Sequence, residues 1–249
     1  MAQSPAATID SAEIARFESM AAEWWDQDGA ARPLHRMNPL RIGYVRDRIC
    51  ARLGRDPLAP KPLSGLKILD VGCGGGLLSE PMARLGAEVT GVDAGAEAIG
   101  VARAHAAESG LDIDYRCASA EDLAASGARF DAVLALEIVE HVADVDAFCG
   151  ALSGLLRPDG TLVMSTLNRT RRSWAVAIFG AEMVLRMIPR GTHDWKKFLK
   201  PHELAAALRR AGLAVQDIAG MVPDPRDGSW RLASQALAVN YILTAVRPG

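Results

Sequence analysis

Cysteines, aromatic residues and long apolar runs are all scarce in this chain of 249 residues. Its four cysteines are widely spaced and form no Cys-x-x-Cys pair, which favours reduced thiols in a cytosolic protein. No apolar run reaches the roughly 18 residues that a membrane-spanning helix needs. Residues 1–10 show no basic stretch followed by an apolar one, so we expect no secretory signal and a cytoplasmic location.

A strong charge of either sign is also absent. The 28 Lys and Arg residues nearly balance the 30 Asp and Glu residues, which gives a formal net charge of −2, and 49% of the chain is hydrophobic. This is ordinary globular composition, and nothing in it indicates nucleic acid as a partner. The length suits one α/β domain with a filled core and is short for two.

Short apolar runs alternate with helical patterns from residue 67 onward. They predict strands over 67–71, 88–92, 113–117, 132–136, 160–166, 214–220 and 237–245. The alternation predicts an α/β fold, with helices on both faces of a mostly parallel sheet. Because the last two strands can close the sheet with one of them antiparallel, we expect the seven-stranded sheet of methyltransferases rather than the six-stranded sheet of dehydrogenases.

The chain ahead of these strands reads as a separate helical cap over residues 1–58, with the main domain over 59–249. A helical pattern covers 10–26, and a second helix is predicted from Pro39, a favourable first-turn residue, to Leu53. The segment 33–39 between them, with a proline at each end, is expected to be a stiff connection.

A glycine-rich loop, residues 70–76 with the sequence Asp-Val-Gly-Cys-Gly-Gly-Gly, joins the first strand to the next helix. Open α/β sheets bind ligands at this position, and the glycines let the backbone approach a ligand closely. Dinucleotide enzymes use a similar loop, but Leu77 stands where their pattern needs a small residue. Asp70 would repel a pyrophosphate and favour the cationic groups of S-adenosylmethionine. The predicted cofactor contacts here are Asp70, Gly72, Gly74 and Gly76.

Two further acidic segments follow the next strands. Asp93 ends the second strand, where a carboxylate can accept hydrogen bonds from both ribose hydroxyls; it could instead serve only as a turn residue. After the third strand, backbone groups near Ala120 and Glu121 are candidates for contact with the adenine. The alternative is that Glu121 and Asp122 merely open a helix.

The segment after the fourth strand carries Glu137, Glu140 and His141. If it opens a helix, the three side chains share one face and could hold a divalent cation that lowers the pKa of a phenol. Without a metal, His141 could itself act as the general base, because imidazole titrates near neutral pH. The structural alternative is an N-terminal helical turn whose acids favour the helix dipole.

The chain resembles the bacterial ubiquinone-biosynthesis O-methyltransferase family along nearly its whole length. The glycine loop is shared by the whole superfamily, whereas the His-Arg-Met-Asn-Pro and Gly-Thr-His-Asp stretches are more specific. The resemblance is carried by residues 17–26, 33–41, 69–76, 137–142, 165–169, 191–194 and 239–241.

This resemblance implies a Rossmann-like class I methyltransferase fold and two O-methylations, one of a polyprenyl catechol-type intermediate and one of demethylubiquinol. It implies that Arg41, Gly72, Asp93 and Leu136 line the cofactor site, although Leu136 replaces a methionine found in some members. It also implies magnesium held by the residues matching Glu137, Glu140 and His141, and other enzymes of the pathway as possible partners. On its own terms, the Arg41 guanidinium could pair with the cofactor's carboxylate, or simply be a solvated helix residue.

Residues 168–200 form a basic, apolar insert. Eight Lys and Arg residues face two acidic ones, a local net charge of +6, and tryptophan and aliphatic residues lie between them. This composition suits an anionic lipid surface at the inner membrane, from which a long isoprenoid substrate must be drawn. The alternative is a lid helix packed on the sheet with a solvated charged edge, and both can hold.

Two other functions remain open at this point. The chain could methylate another small hydroxylated aromatic compound. It could also be a non-catalytic scaffold at a lipid surface that keeps a relic fold.

Overall fold

The computed structural model of the chain describes residues 24–29, 31–175 and 195–248. The predicted helix over 10–26 therefore lies almost wholly outside the described residues, as does the part of the basic insert between 176 and 194. Within the described part of the chain, no helix combines the length and the apolar character needed to cross a membrane.

One eight-stranded sheet forms the centre of the molecule, with the strands in the order β3-β2-β1-β4-β5-β8-β6-β7. Strands β1 to β5 are parallel, β8 runs antiparallel between β5 and β6, and β7 forms an antiparallel edge beside β6. The strands are β1 (Lys67–Val71), β2 (Glu88–Asp93), β3 (Asp114–Cys117), β4 (Phe130–Leu136), β5 (Leu156–Leu167), β6 (Ala214–Pro223), β7 (Trp230–Ala233) and β8 (Asn240–Val246).

Helices cover both faces of this sheet. They are α1 (Arg32–Leu53), α2 (Ser79–Arg84), α3 (Ala96–Glu108), α4 (Ala120–Ala125), α5 (Val145–Leu155), the single turn α6 (Arg171–Ser173) and α7 (Pro201–Arg210). Two short 3₁₀ turns, Val139–His141 and Trp195–Lys197, complete the described elements.

The central strands bury both of their faces, which is why they read as unbroken apolar runs. Successive residues point to opposite faces. One set packs against α5 and α7, and its neighbours in sequence pack against α1 and α2. The first set includes Leu69, Val133, Leu162 and Leu243, and the second includes Ile68, Leu134, Val163 and Ile242.

The predicted fold class is confirmed, and every predicted strand is present within four residues of its predicted bounds. The closing pair is as expected, because β8 is the antiparallel strand inserted between β5 and β6. The sheet has one strand more than predicted. This strand, β7, is only four residues long and none of them is buried, so it does not form an apolar run that the sequence could show.

The predicted stiff connection over 33–39 is wrong. Helix α1 begins at Arg32 and runs through Pro39 to Leu53. Pro33 occupies the first turn, where a missing N–H costs nothing, and Pro39 is accommodated inside the helix at the cost of one backbone hydrogen bond.

Helix α1 is tied to the sheet by a buried polar contact as well as by apolar packing. The Tyr44 hydroxyl donates to Asp217 of β6 at 2.7 Å and accepts from Thr244 of β8 at 3.0 Å. Arg48, one turn later, pairs with the same Asp217 carboxylate at 2.8 Å. These contacts fix the position of α1 over the sheet, and with it the side chains that α1 presents to the site described next.

Candidate active site

The candidate site lies where β1, β2, β4 and β5 end, at the carboxyl edge of the parallel part of the sheet. The chain after β1 leads to β2 on one side of it, and β4 lies on the other side. A crevice opens at such a reversal of strand order, and ligands of open α/β sheets bind there. The loop after β1 therefore lies between the residues that follow β2 and those that follow β4.

The glycine loop is a tight turn under this crevice. The amides of Gly72 and Cys73 both donate to the Val92 carbonyl of β2, at 2.8 and 3.1 Å. Gly74 adopts a φ of 51°, in the left-handed region that favours glycine. A Cβ at Gly74 would come within 2.7 Å of the Trp24 ring, so the Trp24 ring can lie this close to the loop only because residue 74 is glycine.

Asp93 and Asp70 hold the loop from two sides. The Asp93 carboxylate accepts from the Gly74 amide at 2.9 Å and from the Gly95 amide at 2.8 Å. Asp93 therefore does stabilise the turn, as one interpretation of the sequence predicted. Its binding of the ribose hydroxyls stays a prediction. Asp70 is buried and accepts from the Ser79 hydroxyl at 2.6 Å.

Burial, with the nearby Asp93 charge, raises the pKa of Asp70 to about 7. The carboxyl group is thus only about half ionised at neutral pH. The contact of Asp70 with Ser79 also holds the loop on α2, and the contact of Asp70 with a cationic ligand stays a prediction.

Two tryptophans that the sequence did not assign to the site cover the glycine loop. The Trp24 ring lies against Gly74 and Gly75. The Trp25 indole donates to the Gly75 carbonyl at 2.9 Å and stacks on His105 of α3, with centroids 3.5 Å apart and an interplanar angle of 6°. The signal available in the sequence was the adjacent pair of tryptophans in a chain with only five.

Arg41 reaches the site from α1. It is 5% exposed, and its Nη2 lies 3.0 Å from Oε1 of Glu137. This ion pair lacks hydrogen-bond geometry, so Nε and Nη2 of Arg41 are buried without a hydrogen bond within the described part of the chain. The alternative of a solvated helix arginine is thereby excluded for Arg41.

The expectation that Glu137, Glu140 and His141 share one helix face is wrong. Glu137 has a φ of 55°, the only positive φ of a non-glycine residue in the described chain, and it precedes the 3₁₀ turn that holds the other two. Its amide donates to the Ser165 carbonyl of β5 at 3.0 Å, which pulls the residue out of helical geometry. Leu136, at the end of β4, is half-buried just before it.

Both carboxylates bind hydroxyls at the end of β5. The Ser165 hydroxyl donates to Glu137 at 2.7 Å, and the Thr166 hydroxyl donates to Glu140 at 2.8 Å. Glu140 is buried, and burial together with the Glu137 charge raises its pKa to about 8, so it is mostly protonated at neutral pH.

These donors do not fit the magnesium ion that the resemblance implies. The Arg41 guanidinium already lies against Glu137, and the Thr166 hydroxyl binds Glu140, so the two carboxylates are not presented to a shared cation. Among the described residues, no three His, Cys, Asp or Glu side chains meet in a metal-binding group.

The segment after β3 opens α4, as the alternative interpretation predicted. The Ser119 hydroxyl accepts from the Asp122 amide at 3.0 Å, and the Asp122 carboxylate accepts from the Ser119 amide at 3.3 Å, forming a capping box. Ala120 is buried in the first turn, and Glu121 is half-buried beside it. The capping role does not involve the backbone proposed to contact adenine, and that contact stays a prediction.

The described ends of the basic insert lie beside the last strands. The Thr170 hydroxyl donates to the Ala238 carbonyl at 2.5 Å, and the Trp195 indole donates to the Thr170 carbonyl at 2.9 Å. Trp174 is 47% exposed, and its neighbours Arg171 and Arg172 are exposed. The part of the insert over 176–194, with any lid helix it forms, lies outside the described residues.

Comparison with known proteins shows the class of fold. A methyltransferase domain model matches residues 69–164. The chain is similar in structure to an S-adenosylmethionine-dependent methyltransferase from Clostridium acetobutylicum, with a TM-score of 0.58, 13% identity and 83% and 91% of the two chains covered. It is also similar to magnesium protoporphyrin IX methyltransferase from Synechocystis with bound S-adenosylhomocysteine, with a TM-score of 0.56, 24% identity and 83% of each chain covered. The fold is that of a class I S-adenosylmethionine-dependent methyltransferase.

Sequence relatives narrow the class to a family. The chain is 56% identical to the ubiquinone biosynthesis O-methyltransferase of Cereibacter sphaeroides, over 98% of this chain and 99% of the relative. It is 51% identical to the enzyme of the same name from Sinorhizobium fredii, over the full length of both. The chain belongs to the ubiquinone biosynthesis O-methyltransferase family.

The raised pKa of Asp70 predicts a pH dependence of stability. The folded protein keeps a proton on Asp70 that the unfolded chain has released, so the free energy of unfolding falls as the pH rises from about 4 to about 7. In the Asp70→Asn variant, the free energy of unfolding no longer falls for this reason, because asparagine does not ionise. Urea unfolding at several pH values should show the stability of the variant, relative to the parent, rising up to about pH 7 and then levelling off.

Asp112→Asn is the control, because Asp112 is exposed in the loop before β3. Its offset from the parent should stay constant across the same pH series. A constant offset for Asp70→Asn as well would contradict the account of Asp70.

Proposed function

We propose that the protein transfers a methyl group from S-adenosylmethionine to phenolic hydroxyls of polyprenylated ubiquinone precursors. The substrates are of the 2-polyprenyl-6-hydroxyphenol and 3-demethylubiquinol types. The observation that carries this proposal is the buried Arg41 guanidinium, which has N–H groups without hydrogen-bond acceptors. It lies across the glycine loop from Asp93. The chain that holds it is 56% identical to a ubiquinone biosynthesis O-methyltransferase.

The proposed cofactor site follows from the polar groups around the loop. Arg41 has buried N–H groups that suit the carboxylate of the cofactor, and Asp93, at the end of β2, suits the ribose hydroxyls. The backbone at Gly72, Gly74 and Gly76 is the proposed contact of the loop with the cofactor. A Cβ at these positions would meet Ile138, Trp24 and Tyr115 respectively, so the loop can pack this closely only with glycine there. Further contacts are proposed at Asp70 and Leu136, and for the adenine at the backbone of Ala120 and Glu121.

S-adenosylmethionine, when bound, supplies an electrophilic methyl group on a sulfonium, and the acceptor attacks in line. His141 is the proposed general base that removes the phenolic proton, since it lies partly exposed in the 3₁₀ turn that follows β4. Glu137 and Glu140 are proposed to position this turn against β5 through Ser165 and Thr166. No step passes through magnesium, because the donors do not fit it.

A methylation assay tests the reaction and the base together. The purified chain with S-adenosylmethionine should convert a short-chain demethylubiquinol to its O-methylated product, detected by mass spectrometry. We expect His141→Ala to lower kcat by about 100-fold or more, the usual range for loss of a general base, while S-adenosylhomocysteine binding stays unchanged. His202→Ala, on the exposed side of α7, is the matched control and should retain activity.

A metal chelator in the same assay should leave the rate unchanged. A loss of activity that magnesium restores would contradict the assignment of His141 as a base acting without metal. If the protein methylates simple catechols and not the demethylubiquinol, its substrate is another small hydroxylated aromatic compound. An absence of any methyl transfer would favour the non-catalytic scaffold.

We further propose that the insert over 168–200 binds the anionic surface of the inner membrane. Its local charge of +6 provides electrostatic attraction, and the exposed Trp174 beside Arg171 and Arg172 provides an aromatic residue suited to the interface. A surface of this kind would bring the site to a substrate whose isoprenoid tail is insoluble in water.

Co-sedimentation with vesicles tests this surface. The protein should bind vesicles that contain phosphatidylglycerol, bind pure phosphatidylcholine weakly, and dissociate as the salt concentration rises. Replacing Arg171 and Arg172 by Gln and Trp174 by Ala should weaken binding by about tenfold or more, since each basic residue near the surface contributes about 1 kcal/mol. Arg209→Gln, on α7, is the matched control, and equal binding by all variants would contradict the proposal.

A further inference from the structure

The Trp24 indole presents a buried donor without an acceptor. Its Nε1 is shielded from solvent and makes no hydrogen bond within the described residues. Buried indole N–H groups are usually paired, because a lost hydrogen bond is not replaced by water in a buried site. The orphaned donor therefore indicates a partner that binds beside the glycine loop.

The position of Trp24 is fixed by its ring, by its backbone carbonyl and by its neighbour Trp25. A Cβ at Gly74 or Gly75 would come within 2.7 or 2.6 Å of Trp24, so the side chain lies flat along this part of the loop. The Trp24 carbonyl lies 2.9 Å from Nε2 of His35 on α1, and because a carbonyl only accepts, this nitrogen carries the proton. Trp25 anchors the next residue to Gly75.

The covered glycine is the same one that Asp93 holds. Gly74 donates its amide to Asp93, the proposed ribose ligand, while the ring of Trp24 lies against its Cα. His35, Asn38 and Arg41 recur at three-residue spacing on α1, and Asn38 donates to the Leu77 carbonyl at 2.6 Å. The same side of α1 thus contacts Trp24, the end of the loop and Glu137.

We propose that Trp24 is a cofactor ligand whose indole N–H donates to the carboxylate of S-adenosylmethionine, beside Arg41. The inference rests on the proposed function, since it assumes that this cofactor binds at the loop. An indole N–H can only donate, so it suits the carboxylate, whereas Asp93 can only accept and suits the ribose hydroxyls. The two side chains on Gly74 then recognise opposite ends of the same molecule.

Calorimetry with two ligands tests this assignment. S-adenosylhomocysteine carries the amino-acid carboxylate, and 5′-methylthioadenosine has the same nucleoside and thioether without it. Trp24→Phe keeps an aromatic ring against the loop and removes the N–H. It should weaken S-adenosylhomocysteine binding by about tenfold or more, the effect of losing a hydrogen bond to a charged group, and leave methylthioadenosine binding within about twofold.

Trp25→Phe is the matched control. It removes the hydrogen bond to the Gly75 carbonyl, which steadies the loop itself, so it should change the affinities for both ligands by the same factor. Far-ultraviolet circular dichroism verifies that both variants are folded.

Three results would overturn the assignment of Trp24. These are unchanged binding of S-adenosylhomocysteine by Trp24→Phe, an equal loss for both ligands, which would indicate packing alone, and tighter binding, which would show that the ring occludes the site. If the parent protein binds neither ligand, the proposed function fails and not merely the role of Trp24.

Discussion

The ion pair between Arg41 and Glu137 is the interaction on which the arrangement of the candidate site depends. It joins a helix from the amino-terminal part of the chain to the residue after β4, with the Arg41 side chain 6% exposed and the Glu137 side chain 19% exposed. A buried charge is costly without a partner, so loss of the Glu137 carboxylate leaves the Arg41 charge to be compensated by a ligand or by water. The pair also helps to hold Glu137 in a left-handed conformation that costs about 1–3 kcal/mol and persists only where its surroundings impose it.

This ion pair is incomplete as a hydrogen-bonding arrangement, and that incompleteness is what makes the site suited to a ligand. Arg41 and Trp24 both have buried N–H groups without acceptors in the described chain, and both lie beside the glycine loop. A fully satisfied network would add rigidity but leave no donor for a carboxylate. The adjacent Glu140 has a raised pKa and is mostly protonated, so the Arg41 guanidinium lies near one ionised carboxylate, that of Glu137, rather than two.

Much of the fold could be predicted from the sequence because its strands are buried on both faces and read as separate apolar runs. The position of the cofactor loop could be predicted for the same reason, since it follows the first of those runs. The course of α1 through Pro39 could not, because it depends on packing that local propensity does not describe. The geometry of Glu137 could not either, because it is imposed by Ser165 and Arg41 from distant parts of the chain.

The cover of the loop by Trp24 likewise arises from contacts across the chain. The ring lies against residues about fifty positions later, and no helical or strand periodicity reports such a contact. The resemblance to the family marked this stretch without giving it a role. The structure supplies the contact, and the orphaned indole N–H supplies the reason to look for a ligand.

We propose above all that the buried guanidinium of Arg41 binds the cofactor's carboxylate. Calorimetry of S-adenosylhomocysteine tests it most directly, comparing Glu137→Gln with the double variant Arg41→Met, Glu137→Gln, in which no unpaired carboxylate is left behind. We predict that the single variant binds and that the double variant binds about 100-fold more weakly, as expected for loss of a buried charged partner. Equal affinity of the two variants for S-adenosylhomocysteine would contradict the claim.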